Sequence, residues 1–326
     1  MSCRGVWRDS GSRPCRGWVQ ILLCALAASI ALLPPAAAGQ PRALGEGVYV
    51  FQGDSAEAAP ANRGEVGNIG FVVGDSGTVM INSGASRRHG RALLQAAEQI
   101  GGKPVVLVII TQPLQEFVMG AAAFTERGIP LLTHRASAEL IGTRCDTCLD
   151  NLRALLGETE MTGTRVVVPE RQIDRDTVVE TGGRTLQLIH PGWGSSPGDL
   201  IVRDVRSGIV FAGALASFGR VPELRDGRLE GWLAALARLE TLSAADGVIV
   251  PGYGPPGGAQ ALAQLRQYLL DADARVGELF AADTALSTAI EAADLPAYQG
   301  WARYHPVHGR NVQQLYLERE HALLDD

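Results

Sequence analysis

The sequence predicts an α/β fold, a four-layer αββα sandwich with an additional C-terminal helical segment. Strand-rich and helix-rich portions alternate twice along the chain, in roughly equal halves, as expected when two sheets pack face to face under outer helices. No linker or low-complexity stretch divides residues 45–255, so both halves belong to one domain. From Gly258 onward the pattern is helical, with a break expected at Pro296 and another around Pro306.

In the first half, short apolar runs predict strands between helices. Gly74-Asp75-Ser76-Gly77 suits a hairpin turn. Residues 105–110 form a continuous apolar run, typical of a strand that is covered on both faces. The predicted strands are 47–52, 68–73, 78–81, 105–110 and 129–132, and the predicted helices are 88–100, 121–127 and 137–156.

The second half repeats this order. A series of short strands is followed by one amphipathic helix and a last short strand before the C-terminal helices. The predicted strands are 166–168, 177–180, 185–189, 200–204, 209–212 and 247–250, and the predicted helix is 229–242.

The N-terminus has the features of an export signal. A basic region precedes an apolar stretch, residues 18–33, and Ala36-Ala37-Ala38 forms a small-residue cleavage site before Gly39. A membrane anchor is the alternative, but about 16 apolar residues are short for a span, which needs about 20. We therefore expect a signal peptide (1–38), a sandwich domain (39–257), a C-terminal helical extension packed on it (258–326) and a periplasmic protein.

The charge balance limits the partners. The formal net charge is −6, which argues against nucleic-acid binding and against binding to anionic membranes. Beyond the leader, no segment is apolar and long enough to cross a bilayer, so no membrane association is expected after signal cleavage.

Five short motifs follow one another along the chain, each on or just after a predicted strand. Together they resemble the metal motifs of the metallo-β-lactamase superfamily, namely I-D-T-G, T-H-x-H-x-D-H-x-x-G, A-H-T-P-G-D-L, V-F-A-G-D and V-P-G-H-G. The matching stretches here are Met80-Ile81-Asn82-Ser83-Gly84, Thr111 to Gly120, Gly194 to Leu200, Val210-Phe211-Ala212-Gly213-Ala214 and Val250-Pro251-Gly252-Tyr253-Gly254.

The resemblance implies which residues take the metal-site positions. Asn82 takes the place of the aspartate that orients a metal-site residue. The ligand positions hold Gln112, Leu114, Glu116, Phe117, Ser195, Ala214 and Tyr253. A hydrolytic zinc site needs about three protein ligands per metal from residues such as His, Asp and Cys, and only Glu116 is a strong ligand type. We therefore expect no catalytic residue, metal or cofactor at these positions.

A relocated metal site is the alternative. His134 and His190 end predicted strands on the expected pocket side, and with Glu116 they are the candidates for such a site. Otherwise they are hydrogen-bonded structural histidines. Zinc is expected only under this alternative.

The eight residues Asn82, Gln112, Leu114, Glu116, Phe117, Ser195, Ala214 and Tyr253 are expected to surround one vestigial pocket. Its substitutions are apolar or aromatic in character. Such a pocket either holds a small organic ligand or is packed shut, and loss of the metal charge favours packing.

Cys145 and Cys148 are the two cysteines outside the leader. In an oxidising compartment Cys145-Asp146-Thr147-Cys148 predicts a local disulfide. A redox dithiol is the alternative. A haem attachment site needs His after the second cysteine, and Leu149 stands there.

Four further stretches narrow the resemblance. They are Gly47 to Gly53, Ala59 to Gly64, Gly67 to Gly74 and Arg310 to Glu318. Together they resemble the exported proteins called quinoprotein relay system zinc metallohydrolases. The resemblance implies a periplasmic partner, either a quinoprotein dehydrogenase or a c-type cytochrome. This sequence departs from that family at the zinc motif, so the resemblance does not imply hydrolysis.

Two classes of function remain open. One is a non-catalytic relative, a pseudo-metallohydrolase, that binds a protein or small ligand. The other is an enzyme, a hydrolase that has a relocated metal or none. The ligand substitutions favour the first.

Overall fold

The strands form two sheets, and the chain completes the first before it begins the second. The computed structural model describes residues 39–244 and 246–325, so the predicted signal peptide, 1–38, lies outside the described residues. The first sheet runs in chain order: β1 (Arg42–Gly45), β2 (Val48–Phe51), β3 (Ile69–Val73), β4 (Thr78–Ile81), β5 (Val105–Ile109), β6 (Leu131–His134) and β7 (Arg171–Ile173). The second has the spatial order β12-β11-β10-β9-β8, with β8 (Thr177–Thr181), β9 (Arg184–Ile189), β10 (Ile201–Asp204), β11 (Val210–Ser217) and β12 (Ile249–Tyr253).

Helices flank the sheets and close the chain. They are α1 (Arg87–Gly101), α2 (Gln115–Val118), α3 (Ala121–Thr125), α4 (Arg135–Leu156), α5 (Glu158–Met161), α6 (Leu229–Leu242), α7 (Ala259–Ala281), α8 (Leu286–Ala292) and α9 (Tyr304–Asp325). Short 3₁₀ turns occupy Pro60–Asn62 and Pro296–Tyr298. None of the described helices has both the length and the apolar character that a bilayer crossing requires.

Three apolar cores separate four layers. The middle core joins the two sheets, for example through Val79 and Ile109 of the first and Phe211 and Val250 of the second. A second core packs α1, α3 and α4 against the first sheet. The third packs α6, α7 and α9 against the second sheet. The predicted αββα sandwich with a C-terminal helical segment is therefore confirmed.

Strand direction places the motif loops together. Strands β4 to β7 are mutually parallel, and β11 is parallel to β12. Side chains that follow the carboxyl ends of parallel strands meet at one edge of a sheet. Asn82 follows β4, Thr111 follows β5 after one residue, and Tyr253 ends β12. The sequence pattern thus brings distant motifs to one edge of the sandwich.

The structure differs from the predictions in local details. No strand forms at 166–168, because Pro169 removes a backbone donor and restricts the residue before it. The pairing strand is instead β7, which aligns Arg171 with Leu132. Strand β1 was missed. The break expected around Pro306 ends at Arg303, and Pro306 itself lies in the first turn of α9, where a missing N–H is tolerated.

Candidate functional site

An open cavity of about 860 Å³ lies beside the motif loops. Six of the eight residues predicted to surround a pocket line it: Gln112, Leu114, Glu116, Ser195, Ala214 and Tyr253. The expectation that this pocket is packed shut is therefore wrong. The volume lies in the range of small-molecule sites, roughly 300–1,000 Å³.

The other two predicted residues lie beneath the lining. Asn82 is buried, and its side-chain oxygen accepts hydrogen bonds from both the backbone N–H and the hydroxyl of Thr111, each at 2.9 Å. Its φ of 68° is the left-handed conformation that asparagine tolerates better than most residues. Phe117 is fully buried, and its ring stacks on that of Tyr253 with centroids 5.8 Å apart. Both residues hold lining residues in place.

The Gln112 side chain is fixed against β11. Its Oε1 accepts a hydrogen bond from the Ala214 backbone N–H at 3.0 Å. Gly213 makes room for this contact, because a Cβ there would lie 2.1 Å from Gln112 Oε1. Since Oε1 must face the Ala214 donor, Nε2 is the end left over, and it has no hydrogen-bond partner among the described residues.

Three residues form a polar group on the cavity wall. The Tyr253 hydroxyl donates a hydrogen bond to the Glu116 carboxylate. Burial and the nearby Glu116 charge raise the pKa of Tyr253, which keeps its hydroxyl protonated as a donor. The guanidinium of Arg220 lies over the face of the Tyr253 ring, 4.2 Å from its centre.

The loop that carries Ser195 is organised around Asp199. This carboxylate is fully buried and accepts the backbone N–H and hydroxyl groups of both Ser195 and Ser196, at 2.6–3.1 Å. The Ser195 hydroxyl is therefore committed as a donor to Asp199. Burial raises the pKa of Asp199, and the four donors oppose that effect.

His134 and His190 pair with each other and do not line the cavity. Their rings stack with centroids 4.0 Å apart. His134 Nδ1 accepts the Ala136 N–H at the start of α4, so the proton of the neutral ring is on Nε2. Nδ1 of His190 lies 2.9 Å from the Asp199 carbonyl oxygen, to which it donates. Burial, and secondly the His190 charge, lowers the pKa of His134 to about 4.

The residues present do not fit zinc. Structural and catalytic zinc sites draw three or four ligands from Cys, His, Asp and Glu. Among the six lining residues named above only Glu116 belongs to these types, and it accepts the Tyr253 hydroxyl. Across residues 39–244 and 246–325, no three such side chains cluster in a way that could hold a metal ion.

The predicted disulfide is not formed. Cys145 and Cys148 are both free thiols, three residues apart in the middle of α4. Residues at that spacing on a helix have Cβ atoms about 5–6 Å apart, wider than the roughly 3.5–4.5 Å that a disulfide needs. The Cys148 thiol lines the cavity, and its hydrogen bond with Cys145 lowers its pKa to about 7.

Several lining residues lie outside the five motifs and were missed. The most buried charged one is Arg220, six residues beyond Ala214. The one signal for it in the sequence is a lone charge inside the otherwise uncharged segment 210–222. Arg303, the residue immediately before α9, reaches the cavity from the C-terminal segment.

Known proteins share this architecture. The metallo-beta-lactamase superfamily profile matches residues 62–253. Among solved structures, a metallo-beta-lactamase from Pontibacter korlensis is 20% identical with a TM-score of 0.58, covering 71% of this chain and 98% of that one. FIM-1 from Pseudomonas aeruginosa, in its mono-zinc form, is 18% identical with a TM-score of 0.56, covering 72% and 95%. At this identity the likeness concerns the fold alone. A search of curated proteins finds no match.

Proposed function

The chain belongs to the metallo-β-lactamase superfamily, and we propose that it is a non-catalytic member, a binding or accessory protein whose ligand occupies the cavity. One observation carries this proposal. The cavity is open, yet apart from the Glu116 carboxylate the motif positions that line it present amide, hydroxyl, phenol and aliphatic groups where a zinc hydrolase needs metal ligands.

The loop frame supports a retained role. Buried acceptors beneath the lining, such as the Asn82 side-chain oxygen and the Asp199 carboxylate, accept hydrogen bonds from the motif loops. Loops held on a rigid scaffold are where proteins commonly place binding groups. The alternative, a hydrolase with a relocated metal, needs His134 and His190 to join Glu116. Since these imidazoles stack outside the cavity lining, that alternative has less support.

We also propose that the protein is exported to the periplasm and serves a quinoprotein dehydrogenase or a c-type cytochrome there. The basic and apolar leader supports export. The four stretches that resemble quinoprotein relay proteins support the partner. Two of these stretches, Ala59 to Gly64 and Gly67 to Gly74, begin next to the cavity. The residues just before them, Ala58 and Val66, line it.

The test is whether filling the cavity removes a bound molecule. The exported protein would be purified from periplasm and its retained small molecules identified by mass spectrometry. Leu114→Trp fills the cavity from its half-buried wall. Leu270→Trp makes the same change at a largely exposed site on α7, away from the lining, and is the matched control.

We expect the wild-type protein and Leu270→Trp to retain the same molecule, and Leu114→Trp to lose it. Retention by all three would place binding elsewhere. Retention by none, together with turnover of a β-lactam or a thioester, would contradict a non-catalytic role. Identification of a quinoprotein or cytochrome in pull-downs with wild type would support the proposed partner, and its equal capture by Leu114→Trp would place that interface outside the cavity.

A further inference from the structure

Eight charged side chains line the cavity, and seven of them have a polar partner. Arg303 contacts Glu57 at 2.5 Å and Glu223 at 3.6 Å. Asp226 contacts Arg144 at 2.9 Å and Arg225 at 3.4 Å. Glu116 accepts the Tyr253 hydroxyl. These contacts account for every lining charge except Arg220.

Arg220 is a buried cation that forms no salt bridge with a described carboxylate. It is 4% exposed, and the Glu116 and Glu223 carboxylates act on its charge only at longer range. Its Nη1 has no hydrogen-bond partner among the described residues, and its guanidinium lies over the face of the Tyr253 ring. Burial lowers the pKa of Arg220, which reflects the unfavourable environment of the charge. A buried unpaired charge destabilises a fold unless something compensates for it.

Gln112 supplies a second unpaired donor to the same cavity. Its Oε1 is committed to the Ala214 N–H, so its Nε2 hydrogens are the free end of the amide. The residue is fully buried and lines the cavity. Arg303 Nε on the lining also lacks a partner, but that side chain is already paired with Glu57 and Glu223. Arg220 and Gln112 therefore supply the donors at this site whose side chains have no carboxylate partner.

The unpaired donors of Arg220 and Gln112 limit the charge and shape of the ligand group that can accept their hydrogen bonds. A planar guanidinium matches a carboxylate in a bidentate pair. A dianion is disfavoured because Arg220 is the single lining cation without a carboxylate and Glu116 lies close by. Apolar side chains supply much of the remaining wall, including Val66, Leu114 and Leu140.

We infer that the cavity binds an organic carboxylate with an aromatic or branched aliphatic body. Its carboxylate pairs with Arg220, Gln112 donates a further hydrogen bond, and the body packs on the apolar wall. This inference rests on the proposed binding function and specifies its ligand class.

The experiment compares carboxylates with their neutral carboxamides. Calorimetric titration would use 2-naphthoate, indole-3-acetate and 2-ethylhexanoate, each beside its amide, on the wild-type protein and three variants. Arg220→Gln removes the charge and Arg220→Lys keeps it without the planar fork. Arg275→Gln removes a cation on α7 that is paired with Glu278, away from the cavity lining, and serves as the matched control.

We expect the wild-type protein to bind at least one carboxylate about 30-fold or more tightly than its amide, since loss of one partner of a buried charge pair weakens binding by at least this factor. Arg220→Gln should lose that preference and Arg220→Lys should retain part of it. Arg275→Gln should change it less than about threefold. The acid–amide comparison needs only the wild-type protein, so the test stands even where a variant fails to fold.

Other outcomes separate the two proposals. Equal binding of acids and amides would overturn the carboxylate inference while leaving a binding function intact. A preference that survives Arg220→Gln would overturn the role of Arg220. Binding of no probe, while purified protein still retains a neutral molecule that Leu114→Trp loses, would overturn only the ligand class. Absence of both would overturn the binding function as well.

Discussion

The buried residues beneath the cavity and the residues that line it differ in their hydrogen bonding. Beneath it, the Asn68 side chain accepts the Gly53 N–H and donates to the carbonyls of Pro251 and Gly254, at 2.7–2.9 Å. The Asn82 side-chain oxygen and the Asp199 carboxylate likewise accept hydrogen bonds. On the lining, Arg220, Gln112 and Arg303 each keep a nitrogen without a partner among the described residues.

This difference indicates a division of roles. Satisfied buried polar groups fix a loop in one conformation, whereas an unsatisfied buried donor costs stability and calls for an explanation such as function. Substitutions beneath the cavity should therefore reduce stability, and substitutions on the lining should mainly alter binding. The predictions below test that division.

The largest effect is expected for Phe117→Ala. The ring is fully buried, stacks on Tyr253 and lies where a Cβ on Gly67 would clash with it, so its removal leaves a void between two motif loops. We expect a loss of about 3–5 kcal/mol in the free energy of unfolding, measured by denaturant titration. Phe280→Ala removes a half-buried ring from α7 and is the matched control. Equal losses in both variants would contradict a special role of the cavity frame.

A smaller, pH-dependent effect is expected at His89. Its Nδ1 accepts the Ala85 N–H beside the first motif, and burial lowers its pKa to about 3. The folded protein keeps the ring neutral while the unfolded chain protonates near pH 6.5, so His89 contributes stability that is lost as the pH falls below 6.5. Between pH 6.5 and 5 this loss is about 1.5 kcal/mol.

The comparison for this prediction is His89→Asn, whose side-chain oxygen replaces the Nδ1 acceptor. Between pH 6.5 and 5, its free energy of unfolding should fall by about 1.5 kcal/mol less than that of the wild type. The control, His305→Asn at an exposed position, should keep the wild-type slope. A wild-type slope in His89→Asn would show that the imidazole is not held neutral in the fold.

The sequence predicted which motif positions meet at the site. It did not predict that the cavity is open or which charged residues outside the motifs line it. Motif glycines and the runs in β4, β5, β11 and β12 placed Gln112, Leu114 and Tyr253 at one cavity, because strand direction and tight turns have local sequence signals. Whether the cavity is open depends on contacts between segments far apart in the chain, such as Arg220 over Tyr253 and Arg303 on Glu57. No local pattern encodes those contacts.

Errors at the cysteines and at 166–168 have a related cause. The disulfide between Cys145 and Cys148 was predicted from the compartment and from the spacing of the two residues. Both lie in the middle of a 22-residue helix, which holds their Cβ atoms too far apart for that bond. Residues 166–168 have strand propensity, but a strand forms only where a partner and backbone donors are available, and these occur beyond Pro169.

The smallest effect is expected from a chelator. Dialysis against EDTA should shift the melting temperature by less than about 1 °C, and atomic absorption should find far less than one zinc per chain. A bound ion stabilises the folded state by an amount that grows with the ratio of its free concentration to its dissociation constant. The lining offers Glu116, already bonded to Tyr253, as its only strong ligand among the motif positions. FIM-1 treated in parallel is the positive control, since its structure is of a mono-zinc form. Stoichiometric zinc in this protein, lost together with stability on chelation, would instead direct the search for ligands to Glu116, His134 and His190, and the lining would then have to be regarded as a metal site.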